Sequence, residues 1–168
     1  MSNGQWHLAQ VNIGRARGAM TEPVMQGFAA RLEEINGLAE RTPGFVWRLQ
    51  TEDGNATAIR PYGDERIMIN MSVWADLESL REYVFRSAHA GVMRQRRDWF
   101  VKFEGVYVAL WWVPAGHIPN VEEAVGRLTH LEAHGPTPHA FSFQQPFDPD
   151  GRPIARERSR WDDACPAT

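Results

Sequence analysis

Ile67-Met68-Ile69-Asn70-Met71-Ser72-Val73-Trp74 alternates with a period of two along its length. Successive side chains of a strand point to opposite faces. Ile67, Ile69, Met71 and Val73 therefore make one wholly apolar face, and Met68, Asn70, Ser72 and Trp74 a mixed one. The apolar face calls for a hydrophobic layer. The mixed face offers an amide and a hydroxyl to whatever packs or binds there.

Upstream, Phe45-Val46-Trp47-Arg48-Leu49-Gln50 reads as a partner strand, with Phe45, Trp47 and Leu49 on one face and Val46, Arg48 and Gln50 on the other. The polar stretch 51–65 reads as a long loop between the two, with a short extended piece near 56–59. Residues 5–13 alternate as a further strand, in which Ala9, Val11 and Ile13 make an apolar face and Leu8, Gln10 and Asn12 the other, which carries the amides of Gln10 and Asn12. A loop at Arg15 and Arg17 follows. Between these strands a helix opens at Thr21 or Glu22, with Pro23 in its first turn, and stops before Pro43-Gly44. Met25, Phe28, Leu32, Ile35 and Ala39 are its buried stripe.

Downstream, Asp76 can cap a helix carrying Leu77, Leu80 and Val84. A break at Arg86-Ser87 leads into a second helix over 87–100, with Ser87 as N-cap. His89, Met93, Arg96 and Phe100 share one side of it. A titratable group, a thioether, a cation and a ring make a poor core and a fair pocket wall. Residues 106–113 are nearly all apolar and read as a strand buried on both faces. Asn120, with Glu123 in capping-box position, opens a last helix whose stripe is Val121, Ala124, Val125, Leu128 and Leu131 and whose stop is Gly135-Pro136. Residues 140–143 can add a short edge strand.

Strand, helix, strand, strand, helix, strand is an α+β order, the ferredoxin-like β-α-β-β-α-β plan with an appended C-terminal helix. The expected domain covers residues 1–143. Residues 144–168, rich in Pro, Asp, Arg and Gly, are expected to form a flexible polar tail. An apolar second sheet face is too much to leave wet. The expected remedy is a second copy, two protomers closing a dimeric α/β barrel as a two-fold homodimer.

The chain has 168 residues and a net charge of −3, so nothing global attracts nucleic acid or an anionic membrane. No run approaches the roughly 20 apolar residues of a membrane span, and the N-terminus lacks a signal pattern. Cys165 is the only cysteine, so no intrachain disulfide forms. The expectation is a cytoplasmic protein with a small-molecule substrate. Seven tryptophans is a high count for this length and points to a core, an interface or a ligand site.

Pro43-Gly44-Phe45-Val46-Trp47-Arg48-Leu49, Met71-Ser72-Val73-Trp74, Phe85-Arg86-Ser87-Ala88-His89 through Arg97-Asp98-Trp99-Phe100, and Leu110-Trp111-Trp112-Val113-Pro114-Ala115-Gly116-His117 together resemble an uncharacterised bacterial family. That family is a domain of unknown function placed in the dimeric α/β-barrel superfamily, and the resemblance covers about residues 5–143. It implies kinship with cofactor-free, quinone-forming monooxygenases of antibiotic pathways, haem-degrading monooxygenases, haem peroxidases and small-molecule isomerases. It also implies a site between the helices and the sheet of each protomer.

The candidate catalytic residues are His89, Arg48 and Asn70. A helix N-terminus disfavours a second positive charge, so His89 is expected neutral, a base or an axial haem ligand. Arg48 in a mostly apolar strand needs a buried partner or an anionic ligand. Asn70 is placed to hold an oxyanion or dioxygen. Trp47, Trp74, Met93, Trp99, Phe100 and Trp111 are candidate substrate contacts, although Trp111 and its neighbour Trp112 cannot share a face. The run Arg94, Arg96, Arg97 reads as a solvated face. His130 and His134, at i and i+4, can chelate a metal, but their place at a helix C-terminus explains them equally well, and no metal is expected. The expected function is a cofactor-independent monooxygenase-like enzyme acting on a planar aromatic or polyketide-like compound. The alternatives are a haem protein ligated by His89 and a non-catalytic ligand-binding dimer.

Overall fold

The computed structural model describes residues 5–52, 54–57, 59, 61–87 and 89–155, and of His89 the backbone alone. The chain runs β1 (Trp6–Ala16), a 3-10 turn (Pro23–Met25), α1 (Gln26–Arg41), β2 (Phe45–Arg48), β3 (Ile67–Trp74), α2 (Leu77–Arg81) continued by a π-helical turn (Glu82–Arg86), α3 (His89–Arg94), α4 (Arg96–Trp99), β4 (Phe100–Val101), β5 (Val108–Pro114) and α5 (Val121–His134). It is a mixed α+β fold on one antiparallel sheet. β1 is central, β3 and then β2 lie to one side of it, and β5 and β4 follow each other along the other side. β1 runs past the expected end at Ile13 because Gly14 and Arg15 still pair with Met68 and Ile67 of β3.

The alternation of β3 is met by both layers. Leu8, Gln10, Asn12 and Gly14 of β1 stand opposite Trp74, Ser72, Asn70 and Met68. This face packs against α1 and the helices after β3, through Ala39, Leu77, Leu80 and Tyr83 at one end and Met25, Val92 and Trp99 at the other. On the opposite face Ala9, Val11, Ile69, Met71, Val73 and Trp111 share one core with Ala124, Leu128 and Leu131 of α5. That face was the motive for expecting a homodimer. It is already buried within the protomer, because the appended helix lies over it. The dimer therefore loses the physical argument that called for it.

Three local departures have visible causes. The register of β2 shifts between Phe45 and Trp47, as a bulge does. Phe45 consequently meets Trp74 edge-on at 5.5 Å on the helix side, while Trp47 and Leu49 join the core under α5, so the expected common face of the three is lost. The helix expected over 87–100 divides into α3 and α4. α4 ends where the sheet takes the chain back: the Arg17 N–H donates to the Trp99 carbonyl at 2.8 Å, and Phe100 pairs with Ala16. Asn120 caps α5 as expected, accepting from the Glu123 N–H at 2.8 Å. The Glu123 carboxylate, however, turns to the Trp111 indole at 3.0 Å and to His117 at 2.8 Å rather than completing a capping box.

The expected boundary at 143 does not end the packed chain. Phe141 exchanges both backbone hydrogen bonds with Leu110, at 2.8 and 2.9 Å, in an isolated bridge rather than a strand. The Trp112 indole N–H, which needs an acceptor when covered, donates to the Phe147 carbonyl at 2.7 Å. Pro146 is fully buried, and Phe147 bridges to Pro153. Residues 156–168, Cys165 among them, lie outside the described residues. No described helix is long and apolar enough to cross a membrane.

Candidate functional site

The mixed face of the sheet carries a polar row. Asn12 Nδ2 donates to Gln10 Oε1 at 3.3 Å, Gln10 Nε2 donates to Ser72 Oγ at 3.3 Å, and the Trp74 indole donates to the same Oγ at 2.9 Å. Gln10 and Ser72 are buried, and this chain of bonds is what permits it. Asn70, opposite Asn12, departs from the pattern. Every other residue of β3 is buried, and Asn70 alone is exposed.

What it is exposed to is a hollow between the sheet and the helices. Two lobes, of about 120 and 340 Å³, share Asn12, Asn70, Met93 and Arg96 in their walls, so these four form a waist. The smaller lobe is closed by α1, β2 and Trp99, the larger by the π-helical turn, Tyr107 and the segment around Phe143. Among the described residues no aspartate, glutamate or histidine lines either lobe.

Arg96 donates from Nη2 to the Ile13 carbonyl at 3.2 Å, and its guanidinium lies 5.2 Å from the ring centres of both Phe100 and Tyr107. Such stacking helps to hold a cation in place. Arg48 lines the smaller lobe and is mostly buried, with its Nε on Glu40 Oε1 at 2.8 Å. Tyr83 stacks on Trp74 at 5.0 Å and donates its hydroxyl to the Ile35 carbonyl at 3.3 Å. Burial pushes its hydroxyl far above the usual phenol range, against a smaller downward pull from Arg48. Tyr83 is thus a permanent donor rather than a base.

Of the residues singled out in the sequence, Asn70, Arg48, Met93, Trp99 and Phe100 meet at this hollow. His89 opens α3, and its side chain lies outside the described residues. Trp47 and Trp111 are not at the hollow: both belong to the core on the other sheet face, where Trp111 lies under Arg127 and bonds Glu123. Trp74 is fully buried and supports Ser72 and Tyr83 from behind. Asn12 and Arg96 also belong to the site, and for Arg96 the hollow corrects the expectation of a solvated basic run in favour of the pocket stripe. Asn12 was legible as an amide on an alternating strand, and Arg96 as the cation on the Met93 stripe. Tyr83 and Tyr107 carried no signal, since their roles depend on a π-helical turn and on the Tyr107 carbonyl accepting from Ile13 N–H at 2.9 Å.

His130 and His134 do adjoin, with ring centres 4.5 Å apart, and His139 stands 4.5 Å from His130. Arg127 Nη1 donates to His139 Nδ1 at 3.0 Å and to its carbonyl at 2.6 Å. That ring nitrogen must be unprotonated to accept. Burial first, then Arg127 and His130, hold His139 below the ordinary imidazole value. Among the described residues no group of three or more His, Cys, Asp or Glu is placed to hold a metal ion.

Among solved structures, the chain is similar to SnoaB, a cofactor-independent oxygenase from Streptomyces nogalater, with 16% identity over 67% of this chain and 95% of that one, at a TM-score of 0.45. It is also similar to NE2512, a protein of unknown function from Nitrosomonas europaea (14% identity, 70% and 99% covered, TM-score 0.43). A third likeness is to PA3566 from Pseudomonas aeruginosa (10% identity, 69% and 100% covered, TM-score 0.44). No curated protein matches the chain. Residues 7–157 match the family described as "Domain of unknown function (DUF3291)", and the chain belongs to that family.

Proposed function

We propose that the chain is a small-molecule enzyme, a cofactor-independent monooxygenase acting on a planar aromatic or polyketide-like substrate held in the two-lobed hollow. The observation that carries this reading is Asn70, the single open position of an otherwise buried strand, at the waist of the cavity. An amide there costs the fold apolar burial and gives it nothing in return unless something binds. A substrate with an acidic ring CH₂ conjugated to a carbonyl across the ring loses a proton to give a delocalised anion. The Asn70 amide and the Arg96 guanidinium, both in the walls of the hollow, are donors for the oxygen on which that charge collects. Dioxygen then takes the electron pair. A C–O bond forms, the O–O bond breaks, the CH₂ becomes C=O and the second oxygen leaves as water, so no external reductant is needed. His89, one helical turn before Met93, is the base in this proposal.

The test is aerobic incubation of the purified protein with anthrone, following quinone absorbance and dioxygen uptake together. One dioxygen should be consumed per quinone formed, and Asn70→Ala should lower the rate by about a hundredfold with an unchanged circular dichroism spectrum. Equal rates for wild type, Asn70→Ala and buffer would remove the enzyme reading for this substrate class. A Soret band on haem titration, lost in His89→Ala, would replace it with a haem protein.

A further inference from the structure

Among the described residues, those that wall the smaller lobe bring positive charge and no negative charge. Arg31, Arg48 and Arg96 all line it, and no described carboxylate does. Arg48 is neutralised by Glu40 from behind. The described partner of Arg31 is different in kind: its Nη1 donates to Gln95 Oε1 at 2.7 Å, a neutral amide that orients the guanidinium without cancelling its charge. Among the described ion pairs Arg31 takes part in none. The larger lobe shares Arg96 at the waist and is mostly apolar beyond it. It holds apolar walls from Val106, Val108, Leu131 and Phe143, with neutral polar groups at Gln10 and Ser72. A ligand that suits both lobes has a negative end and a flat apolar body.

Resting on the reading of this hollow as the substrate site, we infer that the substrate is an aromatic acid. Its carboxylate docks in the lobe walled by Arg31, and its rings cross the Asn12–Asn70 waist toward Tyr107 and Phe143. Guanidinium suits a carboxylate because its planar fork can give two parallel hydrogen bonds. The carboxylate end would then fix which ring carbon faces the Asn70 amide, so that the acid group orients the reaction without taking part in it.

The test is a tryptophan-fluorescence titration of the full chain with 2-naphthoate and with 2-naphthamide, its neutral isostere. The acid should bind about tenfold more tightly than the amide, the effect of one well-placed charged hydrogen bond. Arg31→Gln should abolish that preference, and Arg31→Lys should keep part of it. Equal binding of acid and amide, both weakened by Asn70→Ala, would overturn the anionic end and leave the hollow as the site. Binding of either compound that is indifferent to Met93→Trp, which fills the waist, would overturn both.

Discussion

Position 70 would suit a valine. Its neighbours along β3 are buried, its strand is central to the fold, and a β-branched side chain would add apolar burial. Asparagine there is explained by the hollow it opens on and not by the fold. Gly14 has the complementary logic. A Cβ at Gly14 would stand 2.9 Å from the Phe100 ring and 3.0 Å from Arg96 Nη2, so both would have to move. Gly14→Ala is expected to weaken naphthoate binding several-fold while shifting the urea midpoint little, because the displaced groups wall the cavity rather than the core. A titration and an unfolding curve on the same sample check this. His139 supplies a pH dependence. Its folded-state value is held below the ordinary 6.5, chiefly by burial. The unfolded chain therefore takes the proton more readily, so the contribution is complete above that value and is lost as pH falls through the folded pKa. Wild type should lose more thermal stability on acidification from pH about 7.5 to 5 than His139→Gln does, as read by melting curves across that range.

At the scale of elements, α5 decides how the sheet is covered. Its stripe of Ala124, Leu128 and Leu131 was plain from helical spacing, as was its Asn120 cap. Its destination was not, since periodicity says which residues of a helix are buried and not against what. The apolar face of β3 was therefore assigned to a second copy when the chain covers it itself. β2 failed for a different reason. A bulge adds one residue to an alternation, and the amino acids Phe45, Val46 and Trp47 do not announce it. The end of α4 at Trp99 depends on a long-range pairing, Phe100 with Ala16, that no local pattern contains. Leu128 is nearly fully buried in the core that α5 completes. Leu128→Ala is expected to cost about 2–5 kcal/mol, measured by urea unfolding. A loss below about 1 kcal/mol, typical of a surface position, would show that α5 is not the cover described.

At the scale of the whole molecule, the sheet has two unlike sides. One is filled with hydrocarbon and closed by α5. The other carries a row of amides and a hydroxyl, and the helices over it leave room. That division was readable in the alternation of β1 and β3, where one face is largely apolar and the other carries Gln10, Asn12, Asn70 and Ser72 among Leu8, Met68 and Trp74. The tryptophans were less readable, because the same residue type fills the core at positions 47 and 111 and walls the hollow at 99. The central claim is that ligand enters on the amide side. A ¹H–¹⁵N correlation spectrum recorded through a 2-naphthoate titration tests it directly. The side-chain amides of Asn12 and Asn70 and the Trp99 indole should shift together, with the Trp47 and Trp111 indoles unmoved. Shifts at Trp47 and Trp111 with Asn70 unmoved would contradict it.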